Sequence, residues 1–153
     1  MRLQILLIAL PAALLFAGPA MACRQEAETP SENAARVSAE QADAWDKADL
    51  VVVAQVAERR MITLPGPSNA PQVSLAPMTW LKGAGSPWQF DLGATGMTTC
   101  GPVPGFDAIS GKVGDEFVIF VKGDDPAQAT IFETVSLKAL VEPRALAALK
   151  AAE

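Results

Sequence analysis

The run Leu50-Val51-Val52-Val53-Ala54-Gln55-Val56-Ala57 constrains this chain more than any other stretch. It is β-branched, and apolar on both faces at its start, so it reads as a central strand. Four weaker strands accompany it. Val73 and Leu75, then Met78 and Trp80, suggest a second strand. Its alternation breaks at Pro77, where a bulge or an edge position is expected. Trp88, Phe90 and Leu92 alternate with polar residues and mark a third strand. Residues 116–122, mostly apolar, form a fourth, and residues 129–135 a fifth. The proline-rich residues 65–71 read as a loop that no strand or helix enters. Residues 82–87 and 123–126 are turns, and residues 93–114 are a long glycine-rich connection that carries Cys100.

Two helices flank these strands. Residues 24–36 are polar and read as a loose lead-in. Ser38-Ala39-Glu40-Gln41 is a capping-box pattern, and Ala42, Trp45 and Ala48 follow at helical spacing until Asp49 ends the helix. Pro143 stands at the first turn of a C-terminal helix, with Leu146 and Leu149 assigned to one face. The expected fold is therefore mostly β: a five-stranded, closed or nearly closed barrel with a short N-terminal helix and a C-terminal helix.

The start of the chain has a different character. Met1-Arg2-Leu3-Gln4 carries one basic side chain, residues 5–17 are apolar apart from Pro11, and Ala20-Met21-Ala22 is an A-x-A site. This is the three-part layout of a secretory signal peptide over residues 1–22, with a mature domain over residues 23–153 in the periplasm or outside the cell. The apolar core of about 13 residues is shorter than the roughly 20 a membrane helix needs. No transmembrane segment is expected in the mature part. An uncleaved anchor and a lipidated Cys23 are the alternatives. Ala22 suits lipidation, whereas Ala20 stands where such sites usually carry Leu.

Removing 22 of the 153 residues leaves 131, enough for one domain with a real core. Without Arg2, 11 basic residues face 17 acidic ones, a net charge of −6. Such a chain lacks the basic footprint that nucleic acids and anionic membranes require. With no histidine and no tyrosine, Ser-His-Asp and Cys-His catalysis and His-ligated zinc are excluded. The only two cysteines, Cys23 and Cys100, both fall in the exported part, where a disulfide is the expected state. Closing that loop of about 77 residues is worth ~4.5 kcal/mol in the chain-entropy model. A reactive thiol is the alternative reading.

Other constellations are weaker. Asp43-Asp46-Asp49, Asp115-Glu116 and Asp124-Asp125 lack the six or more converging oxygens calcium needs, and they read as solvated turns and a solvated helix face. Paired carboxylates for glycoside hydrolysis need a cleft that a small β domain hardly provides. Trp45, Trp80 and Trp88 read as packing residues, with a sugar-stacking surface as the alternative. Lys82 reads as an exposed turn residue. No metal, cofactor or catalytic residue is assigned.

Several of these pieces, taken in order, resemble the netrin-like or tissue-inhibitor-of-metalloproteinases-like OB-barrel family in its bacterial secreted form. They are Ala22-Cys23, a helix ending in Ala48-Asp49, the strand over residues 50–57, Trp80-Leu81-Lys82-Gly83, Thr99-Cys100-Gly101, and Gly111-Lys112-Val113-Gly114-Asp115-Glu116-Phe117-Val118-Ile119-Phe120. The resemblance implies an OB barrel whose Cys23 is pinned to the loop carrying Cys100. Gly101 would let the backbone turn beside the bridge, and Leu81 stands where relatives often have Trp. In the inhibitor branch the amine and carbonyl of the N-terminal Cys chelate a protease's zinc and the next side chain enters its specificity pocket. Carried over, those residues are Cys23 and Arg24, and the partner is a zinc metalloprotease. Two departures stand out: Gln25 replaces the second Cys of Cys-x-Cys, and the pocket residue Arg24 is long and charged. The function expected from this is a non-enzymatic, exported protein-binding module. It either presents Cys23 as an inhibitor does or serves as an envelope scaffold.

Overall fold

The computed structural model describes residues 28–63, 69–85, 89–93, 97–98, 101–102, 106–123 and 129–152. The expected signal peptide over residues 1–22, Cys23, Arg24, Trp88, Cys100 and Asp124-Asp125 lie outside the described residues. In order, the elements are α1 (Pro30–Lys47), β1 (Leu50–Thr63), β2 (Asn69–Lys82), β3 (Phe90–Gly93), β4 (Met97–Thr98), β5 (Gly101–Pro102), a 3-10 turn (Asp107–Ser110), β6 (Glu116–Lys122), β7 (Thr130–Ser136), a second 3-10 turn (Leu137–Ala139) and α2 (Pro143–Ala152). One five-stranded antiparallel sheet has the order β3-β2-β1-β6-β7, and β4 and β5 make a separate two-stranded ladder. Among its described residues, the long connection after β3 thus holds a two-stranded ladder and a 3-10 turn.

β1 is the middle strand, and the reason is visible in its packing. Leu50, Val52, Ala54 and Val56 face one apolar cluster, with Val73, Leu75, Phe90 and Ile119. Val51 and Val53 face a second, with Ala44, Ala48, Phe120, Leu140 and Ala145. Strands and the first 3-10 turn fill the first cluster, whereas α1, α2 and the segment before α2 cover the second. Each fully buried Val or Leu contributes roughly 1.5–3 kcal/mol, so a strand apolar on both sides belongs between two cores.

The sheet has two edges. No ladder joins β3 to β7, although residues 89–92 and 129–131 line the two sides of one cleft of about 310 Å³. Thr134, buried in β7, accepts a hydrogen bond from the Ala108 amide at 3.2 Å and ties the first 3-10 turn to that edge. Among the described residues, no helix is long and apolar enough to cross a membrane.

Three expectations need correction. α1 begins at Pro30, not beyond Ser38. Its capping box is Thr29 with Glu32, followed by Pro30 at the first helical position, so the polar lead-in is helix from there on. Its exposed turns are held by Arg36, which pairs with Glu28 at 3.1 Å and Glu40 at 2.8 Å. β2 begins at Asn69 and includes Pro71, which stands opposite Met61. Beside Pro77 the expected bulge is present: Val53 faces Thr79 and Ala54 faces Pro77, leaving the exposed Met78 without an opposite residue. On α2 the inward positions are Ala145 and Leu149, four residues apart, while Leu146 is exposed.

Candidate functional site

The most organised polar surface on the sheet is the outer face of β1, β2 and β3. Cross-strand register assembles it. Glu58 stands opposite Ser74, Arg60 opposite Gln72, and Ser74 opposite Asp91. The inward neighbours on these strands, Val73, Leu75, Phe90 and Leu92, are buried, and period-two alternation places the polar set on the opposite face, where Ser74 is itself buried beneath its neighbours. Arg60 is the centre. Its Nε donates to Gln72 Oε1 at 2.6 Å, and its two terminal nitrogens lie 3.9 Å from Glu58 and 3.7 Å from Asp91. Ser74 Oγ in turn donates to Asp91 Oδ1. A guanidinium fixed in this way, with its side chain about half exposed, can meet a carboxylate or carbonyl of another molecule in a fixed orientation.

The residues singled out from sequence fare differently. Cys23, Arg24 and Cys100 lie outside the described residues. Asp43 pairs with Lys47, Asp46 with Arg144 and Asp49 with Lys122. The Gly123 amide and then the Lys122 ammonium hold the Asp49 carboxyl below its ordinary value. Asp115 Oδ2 accepts from the Lys112 amide at 2.8 Å.

Lys82 is not a plain exposed residue. Its ammonium donates to the carbonyls of Trp45 at 2.8 Å and Ala48 at 2.6 Å, closing the C-terminus of α1, where a cation is favoured. The Trp45 ring lies 5.7 Å from Lys82 Nζ and 5.6 Å from the Arg144 guanidinium. Trp80 packs on the other cluster, so Trp45 and Trp80 serve opposite faces and do not share one stacking surface.

A second polar feature lies between α1 and β7. Glu40, Asp107 and Glu133 line a cleft of about 250 Å³ with Val37 and Val135. Burial raises the Glu133 carboxyl above its ordinary value, the Thr134 amide opposes this, and the charges of Asp107 and Glu40 add to it. Between the ordinary and the raised value, the folded chain holds a proton that the unfolded chain has lost. Stability is therefore highest below that window and falls as pH rises through it. Glu133→Gln keeps an acceptor for the Thr134 amide and removes the charge. It should raise the thermal midpoint at neutral pH and flatten the acid-side slope, by less than about 1 kcal/mol because the group is half exposed. Melting curves across the acidic to neutral range check this, and an unchanged slope would show that Glu133 ionises freely.

Glu58, Arg60, Gln72, Ser74 and Asp91 were not legible as a group in sequence. The alternation of Glu58 and Arg60 with Arg59 and Met61 was the available signal, but their partners come from strands whose register depends on bulges. No family model, curated protein or solved structure matches the chain.

Proposed function

We propose that this chain is an exported, disulfide-linked protein-binding module with an OB-like barrel of the netrin or TIMP kind. In this reading residues 1–22 are removed, Cys23 is bridged to Cys100, and the domain acts in the periplasm or outside the cell by binding and not by catalysis. The sheet order supports the barrel: a five-stranded OB barrel, cut between its third and fifth strands, has the order third, second, first, fourth, fifth. Counting β1, β2, β3, β6 and β7 as first to fifth gives that order, and the two edges line one cleft.

The observation that carries protein binding is the Arg60 face. Arginine is enriched among interface residues that dominate affinity. Here Gln72 and two carboxylates hold it in place beforehand, so little side-chain freedom is lost on binding. The test is capture from cell-envelope extract by the immobilised, oxidised mature protein, compared with Arg60→Ala and with a form extended by one Ala before Cys23. A protein retained by the parent and lost with Arg60→Ala supports the face. A zinc protease that the parent inhibits, and that only the Ala extension releases, transfers the function to Cys23 and Arg24. Retention of the same proteins by all three forms, or capture of none, overturns both versions.

A further inference from the structure

The two edges of the sheet meet at one short element. Among the described residues, β3 pairs with β2 alone and β7 with β6 alone. The first 3-10 turn, Asp107–Ser110, lies against β2, β3 and β7. Its Ala108 and Ile109 are buried in the same apolar cluster as Phe90 and Leu92 of β3, and Ile131 of β7 packs against that cluster. Polar groups of other strands fix its backbone. The Ala108 amide donates to Thr134 Oγ1 on β7. The Arg59 guanidinium, on β1 beyond the stretch paired with β6, donates to the Ser110 and Gly111 carbonyls at 3.3 and 2.9 Å. At Gly111 the backbone comes so near β6 that a Cβ there would stand 2.7 Å from the Phe117 ring. This one turn therefore reaches all five strands of the sheet.

We propose that the turn is a strap standing in for a β3–β7 ladder, and that it releases together with β3 as one unit, opening the sheet between its two edges while β1 and β6 stay closed. The attachments set this order. β1 and β6 have backbone ladders on both sides and apolar side chains on both faces. The strap has no ladder; it is held by the buried Ala108 and Ile109 and by hydrogen bonds to Thr134 and Arg59. Segments with few buried contacts and few backbone bonds open at a lower free energy than the core. β3, only four residues long, follows because the strap covers its outer side.

One force already opposes closure. Asp107, the first residue of the strap, and Glu133 of β7 line a cleft that Glu40 also borders, and their like charges repel. What release bares is apolar: the cluster side of Phe90, Leu92 and Ile109. The open form is a minor state, and an apolar molecule that binds it draws the population toward it.

Native-state hydrogen exchange of the protein tests this, with anilinonaphthalene sulfonate as the apolar probe. The Ile109 and Gly111 amides, which bond to the Phe106 and Ala108 carbonyls within the strap, report on the strap itself. They and the ladder amides of β3 should exchange as one group, ahead of β1 and β6. Thr134→Val keeps the side chain's shape and removes the acceptor of a buried amide, so it should speed that group at least about tenfold. Arg59→Met keeps the stem and removes the donors, and should speed it about threefold. Neither should move the β1 and β6 amides, and Thr134→Val should take up more dye than the parent. Glu133→Gln removes the repulsion and should slow the group about twofold at neutral pH. Strap amides that exchange with the core, a β3 that keeps its rate while the strap gains, variants that speed every strand alike, or dye uptake unchanged in Thr134→Val would overturn the proposal.

Discussion

Gln41→Leu is expected to lower the unfolding free energy by about 2–4 kcal/mol, although it replaces a polar side chain by an apolar one of similar size in a buried position. Gln41 is 4% exposed. Its Nε2 donates to the Ala139 carbonyl at 2.9 Å, and its Oε1 accepts from the amides of Val141 at 2.8 Å and Glu142 at 3.1 Å. One side chain on α1 thus satisfies three backbone groups of the segment that leads into α2. Leucine can satisfy none of them. A buried donor or acceptor left without a partner costs about 1–3 kcal/mol. Ala139 and Val141 are exposed residues, so water can relieve part of the loss, but Glu142 is buried and its amide has no such recourse. Urea unfolding should show a lower midpoint with an unchanged slope. Native-state hydrogen exchange should show the Val141 and Glu142 amides accelerated most. A loss below about 0.5 kcal/mol, within the ordinary scatter of surface substitutions, would mean that water already serves these amides.

That staple also shows where sequence reading stops. A glutamine in a helix reads as a solvent-facing residue, and nothing in the local pattern announces that residues about a hundred positions away supply its partners. Local signals did better. The doubly apolar residues 50–57 mark the central strand because both of its faces are covered. Pro77 marks a bulge because it has no amide to give the ladder. The start of α1 was missed for a local reason: two capping-box patterns lie nine residues apart, and the polar one at Thr29 carries Pro30, which fits the first helical turn. Polar composition hid it, since the exposed turns are held by Arg36 and its carboxylates and not by burial. Lys82 illustrates the opposite case. A lysine beside a glycine turn looks solvated, yet the turn that begins at Gly83, with φ +72°, brings it to the end of α1. The Arg60 face is a product of register across three strands, and register is what a single sequence specifies least visibly.

Phe120→Ala should have the larger effect, about 3–5 kcal/mol. That is a third or more of the net stability of an ordinary domain. Phe120 is fully buried in β6, opposite Val51 of β1 and Glu133 of β7, on the face that α1 and α2 cover. Its neighbours in that cluster include Val51, Val53, Val118, Ala44 and Ala48. These are small or stiff at χ1 and have little freedom to collapse into the space a phenyl ring leaves, so most of the cavity term should persist. The loss should also be directional. α1 reaches the sheet through this cluster, with Ala44 and Ala48 inward and its first three turns exposed apart from Val37. Removing Phe120 should therefore loosen α1 before the sheet opens. Leu75→Ala, equally buried but on the other face, should cost a comparable amount and leave α1 in place. Amide exchange separates the two: the α1 amides from Gln41 to Lys47 should speed up in Phe120→Ala well before the amides of β1, and in Leu75→Ala they should keep pace with the strands. Equal protection of α1 in the two variants would mean that Gln41, Lys82 and Lys122, whose ammonium donates to the Lys47 carbonyl at 3.2 Å, hold the helix and that the apolar cluster is secondary. Thr29, the cap of that helix, lies six residues after Cys23. If the chain works through its N-terminus, Phe120→Ala should weaken partner binding even where the protein remains folded, whereas binding through Arg60 should survive.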